Sequence, residues 1–192
     1  MSHPATVISP ELREKFSNLK LLVCDVDGVL TDGKLVYSEG GESIKTFHVH
    51  DGMGLRLLME NGVEVGIITA RSGVAVAKRM SDLEIKHVVQ GRGDKGAALQ
   101  ELLDTLGVAA EHAAYIGDDI IDLPALRLAG IGVSVANGHM SVRAEADFVT
   151  GASGGEGAVR ELADAILEAK VGLEVAIETV LKSSALPSVS KG

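Results

Sequence analysis

Two carboxylates one residue apart, Asp25 and Asp27, stand at the end of the apolar run Leu21-Leu22-Val23-Cys24, and the chain turns after them at Gly28. Like charges this close are costly unless a cation neutralises them, and a metal ion or a lysine is the usual partner. Short apolar runs closed by a turn signal read as buried strands of a parallel sheet, and open α/β sheets bind ligands at the carboxyl ends of such strands. Three further runs of this kind end in suitable partners. Val63 to Ile68 delivers Thr69-Ala70-Arg71, the run near Lys86 to Val89 leads through Gln90-Gly91-Arg92-Gly93-Asp94 to Lys95, and His112 to Ile116 leads to Gly117-Asp118-Asp119. Singly, such an aspartate caps a turn, the threonine is a β-branched strand residue and the lysine a solvated charge. Together they gather anionic ligands, a hydroxyl and a cation at one edge of one sheet.

The elements that must position these groups follow from periodicity and punctuation. Residues 1 to 19 read as a short amphipathic opening, with Ser9-Pro10-Glu11 as a helix start. After the first strand, about Lys20 to Asp25, the runs Lys34 to Ser38 and Ser43 to His48 flank Glu39-Gly40-Gly41-Glu42, a β-hairpin signal. The hairpin, about 34 to 48, leaves the sheet beside the carboxylates and offers an edge to another subunit. A helix is expected from about Asp51 to Asn61, ended by Asn61-Gly62, then another to about Asp82 and one after Lys95. A fifth strand near Ile131 to Val135 ends in Ala136-Asn137-Gly138, and a short one lies at Phe148-Val149. The glycine-rich stretch Gly151 to Gly157 reads as a loop before helices of about Ala158 to Ala169 and on to about Leu181, with a mobile tail from Ser183. Strands alternating with helices predict an α/β fold: a doubly wound, Rossmann-like parallel sheet with helices on both faces, a projecting hairpin and no cap domain, as one domain over 1–192.

Composition narrows the setting. With 192 residues, 46% hydrophobic and 23% charged, the chain is ordinary for a globular enzyme domain. No apolar run approaches the roughly 18 to 20 residues of a spanning helix, and the first residues lack the blocks of a signal peptide, so a cytoplasmic setting is expected. The single cysteine, Cys24, forms no intrachain disulfide, and strand alternation points it away from Asp25 and Asp27, into core packing. A net charge of −9 argues against nucleic acid as a partner.

The order of the four strand ends resembles the haloacid dehalogenase superfamily, whose motifs are an Asp-x-Asp, a Thr or Ser, a Lys and an acidic pair. The likeness covers about residues 20 to 160 and is most specific in Asp25 to Gly33 and Gly117 to Asp122. It implies that Asp25 attacks phosphorus to form an aspartyl phosphate, while Asp27 protonates the leaving alkoxide and later deprotonates water. It assigns Mg²⁺ to the Asp25 carboxylate, the Asp27 carbonyl and Asp118, with Asp119 close by; Asp122 is either a cap or an outer partner of the metal site. Thr69 is expected to hydrogen-bond the phosphoryl group and Lys95 to bridge it to Asp25. Within the superfamily Asp27 favours phosphoryl transfer over dehalogenation, and the absence of spans excludes a transport ATPase.

A capless chain with a hairpin after the first motif is similar to the 3-deoxy-D-manno-octulosonate 8-phosphate phosphatases and their sialic-acid-type relatives. Phe47 to Gly54, Thr69-Ala70-Arg71 and Gly154 to Glu161 extend the likeness. It implies a homotetramer in which hairpins pack together and a neighbour covers the site, and a sugar-acid phosphate contacted by Thr69, Ala70, Arg71, Lys95, His50 and Asp51. Two positions depart from the pattern: a basic residue is usual at His50, and Arg or Lys at Glu156. His48 and His50 are expected on one strand face, as substrate contacts or packing; as a metal pair they lack a third ligand. The alternatives are a nine-carbon 9-phosphate or other phosphosugar as substrate, or a catalytically silent phosphosugar-binding or assembly module.

Overall fold

The computed structural model describes residues 8–39 and 41–182, so the expected tail from Ser183 lies outside the described residues. The apolar runs pair as predicted. β1 (Leu21–Cys24), β4 (Glu64–Thr69), β5 (His87–Gln90), β6 (Ala113–Gly117), β7 (Ile131–Ser134) and β8 (Phe148–Val149) form one parallel sheet in the order β5-β4-β1-β6-β7-β8. The chain winds outward from β1 to β5, then returns to β6 and winds the other way. The switch point of this doubly wound sheet therefore lies between β1 and β6, where such folds open a ligand crevice.

Alternation along the strands builds two hydrophobic layers. Leu22, Cys24, Val65, Ile67, Ala114 and Ile116 face α1 (Pro10–Ser17), α2 (Val49–Glu60), α7 (Ala158–Lys170) and α8 (Leu173–Lys182). Leu21, Val23, Ile68, Ala113 and Tyr115 face α4 (Lys95–Leu106) and α5 (Leu123–Leu128). Cys24 is thus a core residue, as alternation predicts, and burial, reinforced by Asp51 and Asp25, pushes its thiol up out of the nucleophilic range. The remaining connections include α3 (Val74–Asp82), α6 (Met140–Glu145) and the antiparallel hairpin of β2 (Val36–Ser38) and β3 (Gly41–Ile44). No cap domain is inserted among the described residues.

The sharpest departure from expectation is at residues 47 to 50. Their apolar-polar alternation reads as strand, yet the chain is already turning into α2: His48 is its N-cap, its Nδ1 accepting the His50 backbone N–H at 3.3 Å. The histidines therefore do not share a strand face; their rings meet edge to face at 5.0 Å. The helix starts two residues before its expected first residue because a cap, and not a strand partner, takes the free backbone donors.

Asp51, in the first turn of α2, is buried (1% exposed), and its Oδ1 accepts the Arg160 N–H at 2.8 Å. Gly157, the N-cap of α7, has no side chain to cap that helix. Asp51 supplies the missing acceptor from another helix, joining α2 to α7. Removing a capping carboxylate costs ~1–2 kcal/mol, so Asp51→Ala is expected to lower the unfolding free energy by that amount, read as a lower urea midpoint with an unchanged slope. Wild-type stability in the variant would show that the cap contributes nothing.

Candidate active site

The first carboxylate is placed by the sheet itself. Asp25 N–H donates to Ile116 O at 3.0 Å, continuing the β1–β6 ladder one step and setting Asp25 beside the end of β6. The turn after it is fastened from within: the Thr31 hydroxyl donates to Val26 O and accepts the Gly28 and Gly33 N–H groups. Gly28 has φ +91°, and a Cβ there would lie 2.0 Å from Asp118 Oδ2. Only glycine lets this turn close on the second acidic strand end.

Four groups converge in the crevice. Lys95, the first residue of α4, is fully buried; its Nζ donates to Asp122 Oδ1 at 2.6 Å and lies 2.8 Å from Asp25 Oδ1. The second contact is an ion pair, so one ammonium bridges the two carboxylates. Asp25, Asp118 and Asp122 each bring an oxygen within 4.8 Å of the others. Asp122 is nonetheless saturated: Lys95 Nζ and Tyr115 OH donate to Oδ1, and the Asp118 and Asp119 N–H groups to Oδ2. The cap reading of Asp122 matches its bonds to the Asp118 and Asp119 N–H groups. Asp25 and Asp118 are left with oxygens to offer, and closely set carboxylate oxygens fit a hard cation.

Electrostatics agree. Burial, then the Asp122 carboxylate, raise Asp25 to about 7 against the opposing pull of Lys95, and the same pair of causes raises Asp118 to about 7. Burial would lower Lys95, but Asp25 and Asp122 outweigh it and hold its ammonium above the ordinary value.

The other expected residues take distinct places. Thr69 is buried at the end of β4. Its loop is stitched to the Lys95 loop, with Arg92 N–H on Thr69 O, Gly91 N–H on Arg71 O, and the Gln90 side chain accepting Gly73 N–H. Ala70 and Arg71 are exposed, Arg71 reaching Tyr37 OH of the hairpin at 3.5 Å. Asp119 is exposed and caps the turn after it through Ile120 N–H. His50 is exposed on the first turn of α2, while Asp51 is committed to α7. Glu156 is exposed and within electrostatic reach of Lys34.

Several contributors have no role in the site assigned from sequence, although Gly154 to Glu161 belongs to the resemblance. Lys45, just after β3, buries its ammonium against Asp27 Oδ1; a hairpin lysine otherwise reads as solvated. The 151–157 loop seats on the Asp25–Gly33 turn, Gly155 N–H donating to Val29 O and Gly154 N–H to Asn137 Oδ1. A Cβ on Gly154 would lie 1.7 Å from Gly28 O, so the glycines there serve close approach. Glu161 accepts the Gly151 and Ala152 N–H groups and anchors the loop's start.

This sheet, with its carboxylates, hydroxyl and lysine at the switch point, defines a haloacid dehalogenase-like hydrolase, and the family model of that description matches residues 87–162. The 3-deoxy-D-manno-octulosonate 8-phosphate phosphatase of Salmonella typhimurium is 43% identical over 169 residues, 88% of this chain and 90% of that one. The solved structure of the Moraxella catarrhalis phosphatase of the same name, in complex with magnesium, phosphate and a KDO molecule, superposes with TM-score 0.85 at 44% identity, covering 88% of this chain and 98% of that one. The cobalt-bound form from Haemophilus influenzae gives 0.84 at 41%, covering 88% and 99%. The chain belongs to the 3-deoxy-D-manno-octulosonate 8-phosphate phosphatase family.

The raised carboxylates carry a prediction. With folded values near 7 against an ordinary 3.8, Asp25 and Asp118 hold protons in the folded state that the unfolded chain has released. Their contribution to stability is therefore largest on the acid side and is lost as pH rises through 7. In chelator, Tm is expected to fall between about pH 6 and about pH 8, Asp118→Asn to flatten the fall, and Mg²⁺ to offset it most at the upper end. A chelator Tm that rises over this interval would contradict the assignment.

Proposed function

We propose that the chain is a Mg²⁺-dependent phosphatase of 3-deoxy-D-manno-octulosonate 8-phosphate, one hydrolase domain acting in the cytoplasm. The observation that carries the chemistry is the meeting of Asp25, Asp118 and Lys95 at the switch point. The substrate rests on the relatives, whose names give this ester.

In this reading the Asp25 and Asp118 carboxylates and the Asp27 carbonyl hold Mg²⁺, which neutralises the phosphoryl oxygens and keeps both carboxylates ionised. Asp25 is the nucleophile, held by the β1–β6 ladder and oriented by Lys95. Its carboxylate oxygen forms a bond to phosphorus as the bond to the sugar oxygen breaks, and Asp27 supplies the proton that oxygen needs. Asp27 then takes a proton from the water that attacks the aspartyl phosphate, releasing phosphate and restoring Asp25. Thr69 donates to a phosphoryl oxygen, and Lys95, with two carboxylate partners, directs its remaining N–H at the same group. Arg71, at the open edge, is the cation for the substrate carboxylate, with His50 at the rim.

The exposed Val36, Tyr37 and Ile44 of the hairpin support a homotetramer in which these faces are covered.

Phosphate release from the octulosonate ester, a nine-carbon 9-phosphate and a plain sugar phosphate, with Mg²⁺ and with chelator, tests the reading. A strong, chelator-sensitive preference for the first is expected, and Asp25→Asn should stay folded and lose at least ~10³-fold in kcat. Preference for the nine-carbon ester would move the substrate, and silence on all three would leave a binding module.

A further inference from the structure

Tyr115 lies in the middle of the α4-facing layer, fully buried among Leu21, Val23, Leu99 and Leu102. Phenylalanine has the same shape, and a buried hydroxyl costs free energy unless it is bonded. Its bond is to a site residue: Tyr115 OH donates to Asp122 Oδ1 at 2.7 Å, the oxygen that also accepts Lys95 Nζ at 2.6 Å. Burial and the nearby carboxylates keep the phenol protonated, so it acts as a donor. With Asp118 and Asp119 N–H groups on Oδ2, both Asp122 oxygens carry two donors each. A carboxylate so held cannot swing, and Lys95 is located between it and Asp25 Oδ1 at 2.8 Å.

We infer that Tyr115 is a positioning residue for phosphoryl transfer: by sharing Asp122 Oδ1 with Lys95, it keeps the ammonium poised against Asp25 and the phosphoryl group. Without the hydroxyl, Oδ1 has Lys95 as its sole donor, and the carboxylate is free to turn about its Oδ2 bonds. Lys95 then settles toward Asp122 and away from the reacting centre. The loss falls on an interaction that strengthens in the transition state, so it appears in kcat and not in KM.

The inference rests on the phosphatase reading, and the test separates the two. Tyr115→Phe is expected to lower kcat ~10-fold, leave KM within ~2-fold, and raise the Ki of orthovanadate, a mimic of the five-coordinate phosphorus, ~10-fold. A purely structural hydroxyl would lower Tm and leave kcat and the vanadate Ki unchanged, which overturns the inference. In an Asp122→Asn background, Tyr115→Phe should add less than ~2-fold; full multiplication of the two effects would also overturn it. Should Tyr115→Phe not fold, Asp122→Asn alone carries the test: wild-type kcat and vanadate Ki in that variant contradict the chain of contacts. If wild-type protein turns over no ester, the phosphatase reading fails; calorimetric vanadate binding with Mg²⁺ then judges Tyr115, ~10-fold weaker binding in Tyr115→Phe supporting it and equal binding overturning it.

Discussion

A lysine ammonium buried between two carboxylates, with a third carboxylate alongside, is the constraint on which this molecule depends. Lys95, Asp25 and Asp122 are almost withdrawn from solvent, and Asp118 brings its oxygen within 4.8 Å of the other acids. Each buried ion costs several kcal/mol in lost hydration, and a pair of like charges at that distance repels by about 3 kcal/mol at an effective dielectric of about 20. One ammonium cannot balance three carboxylates. Asp122 is compensated by Lys95, Tyr115 and two backbone N–H groups, and that leaves the imbalance on Asp25 and Asp118, the two residues facing the crevice. The same imbalance that makes the site costly without a cation makes it a place for Mg²⁺.

The rest of the fold keeps that arrangement in place. Parallel pairing puts β1 and β6 side by side at the switch point, so two acids distant in sequence arrive together. Backbone bonds between the Thr69 and Lys95 loops make these two strand ends one unit. From the other face, the 151–157 loop closes on the Gly28 turn, and its following helix is capped by Asp51 from α2. These are positioning devices on rigid elements, which a reaction driven by charge placement requires.

The strands, their order along the chain and the six polar residues at their ends were legible because short apolar runs closed by turn residues are local signals. Residues 47 to 50 misled because alternation there matches a strand, while the capping of α2 by His48 is visible only once the helix exists. Tyr115 is indistinguishable from core packing until its hydroxyl meets Asp122, seven residues on. Asp51 reads as a substrate contact at the start of its helix, and the structure bonds it to Arg160, 109 residues away. Lys45 reads as a solvated hairpin charge because nothing local indicates that the hairpin folds back on Asp27. What sequence hides here is long-range pairing of polar groups.

The central claim is that Asp25 carries the phosphoryl group. Asp27→Asn, given an activated aryl phosphate whose leaving group needs no acid, forms the intermediate and cannot readily hydrolyse it. Acid quenching followed by mass spectrometry of the peptide spanning Leu21 to Gly33 is the direct measurement. The account predicts one added phosphoryl group on that peptide at Asp25, lost in the Asp25→Asn, Asp27→Asn double variant. An unmodified peptide during turnover, or a phosphoryl group on another residue, would contradict it.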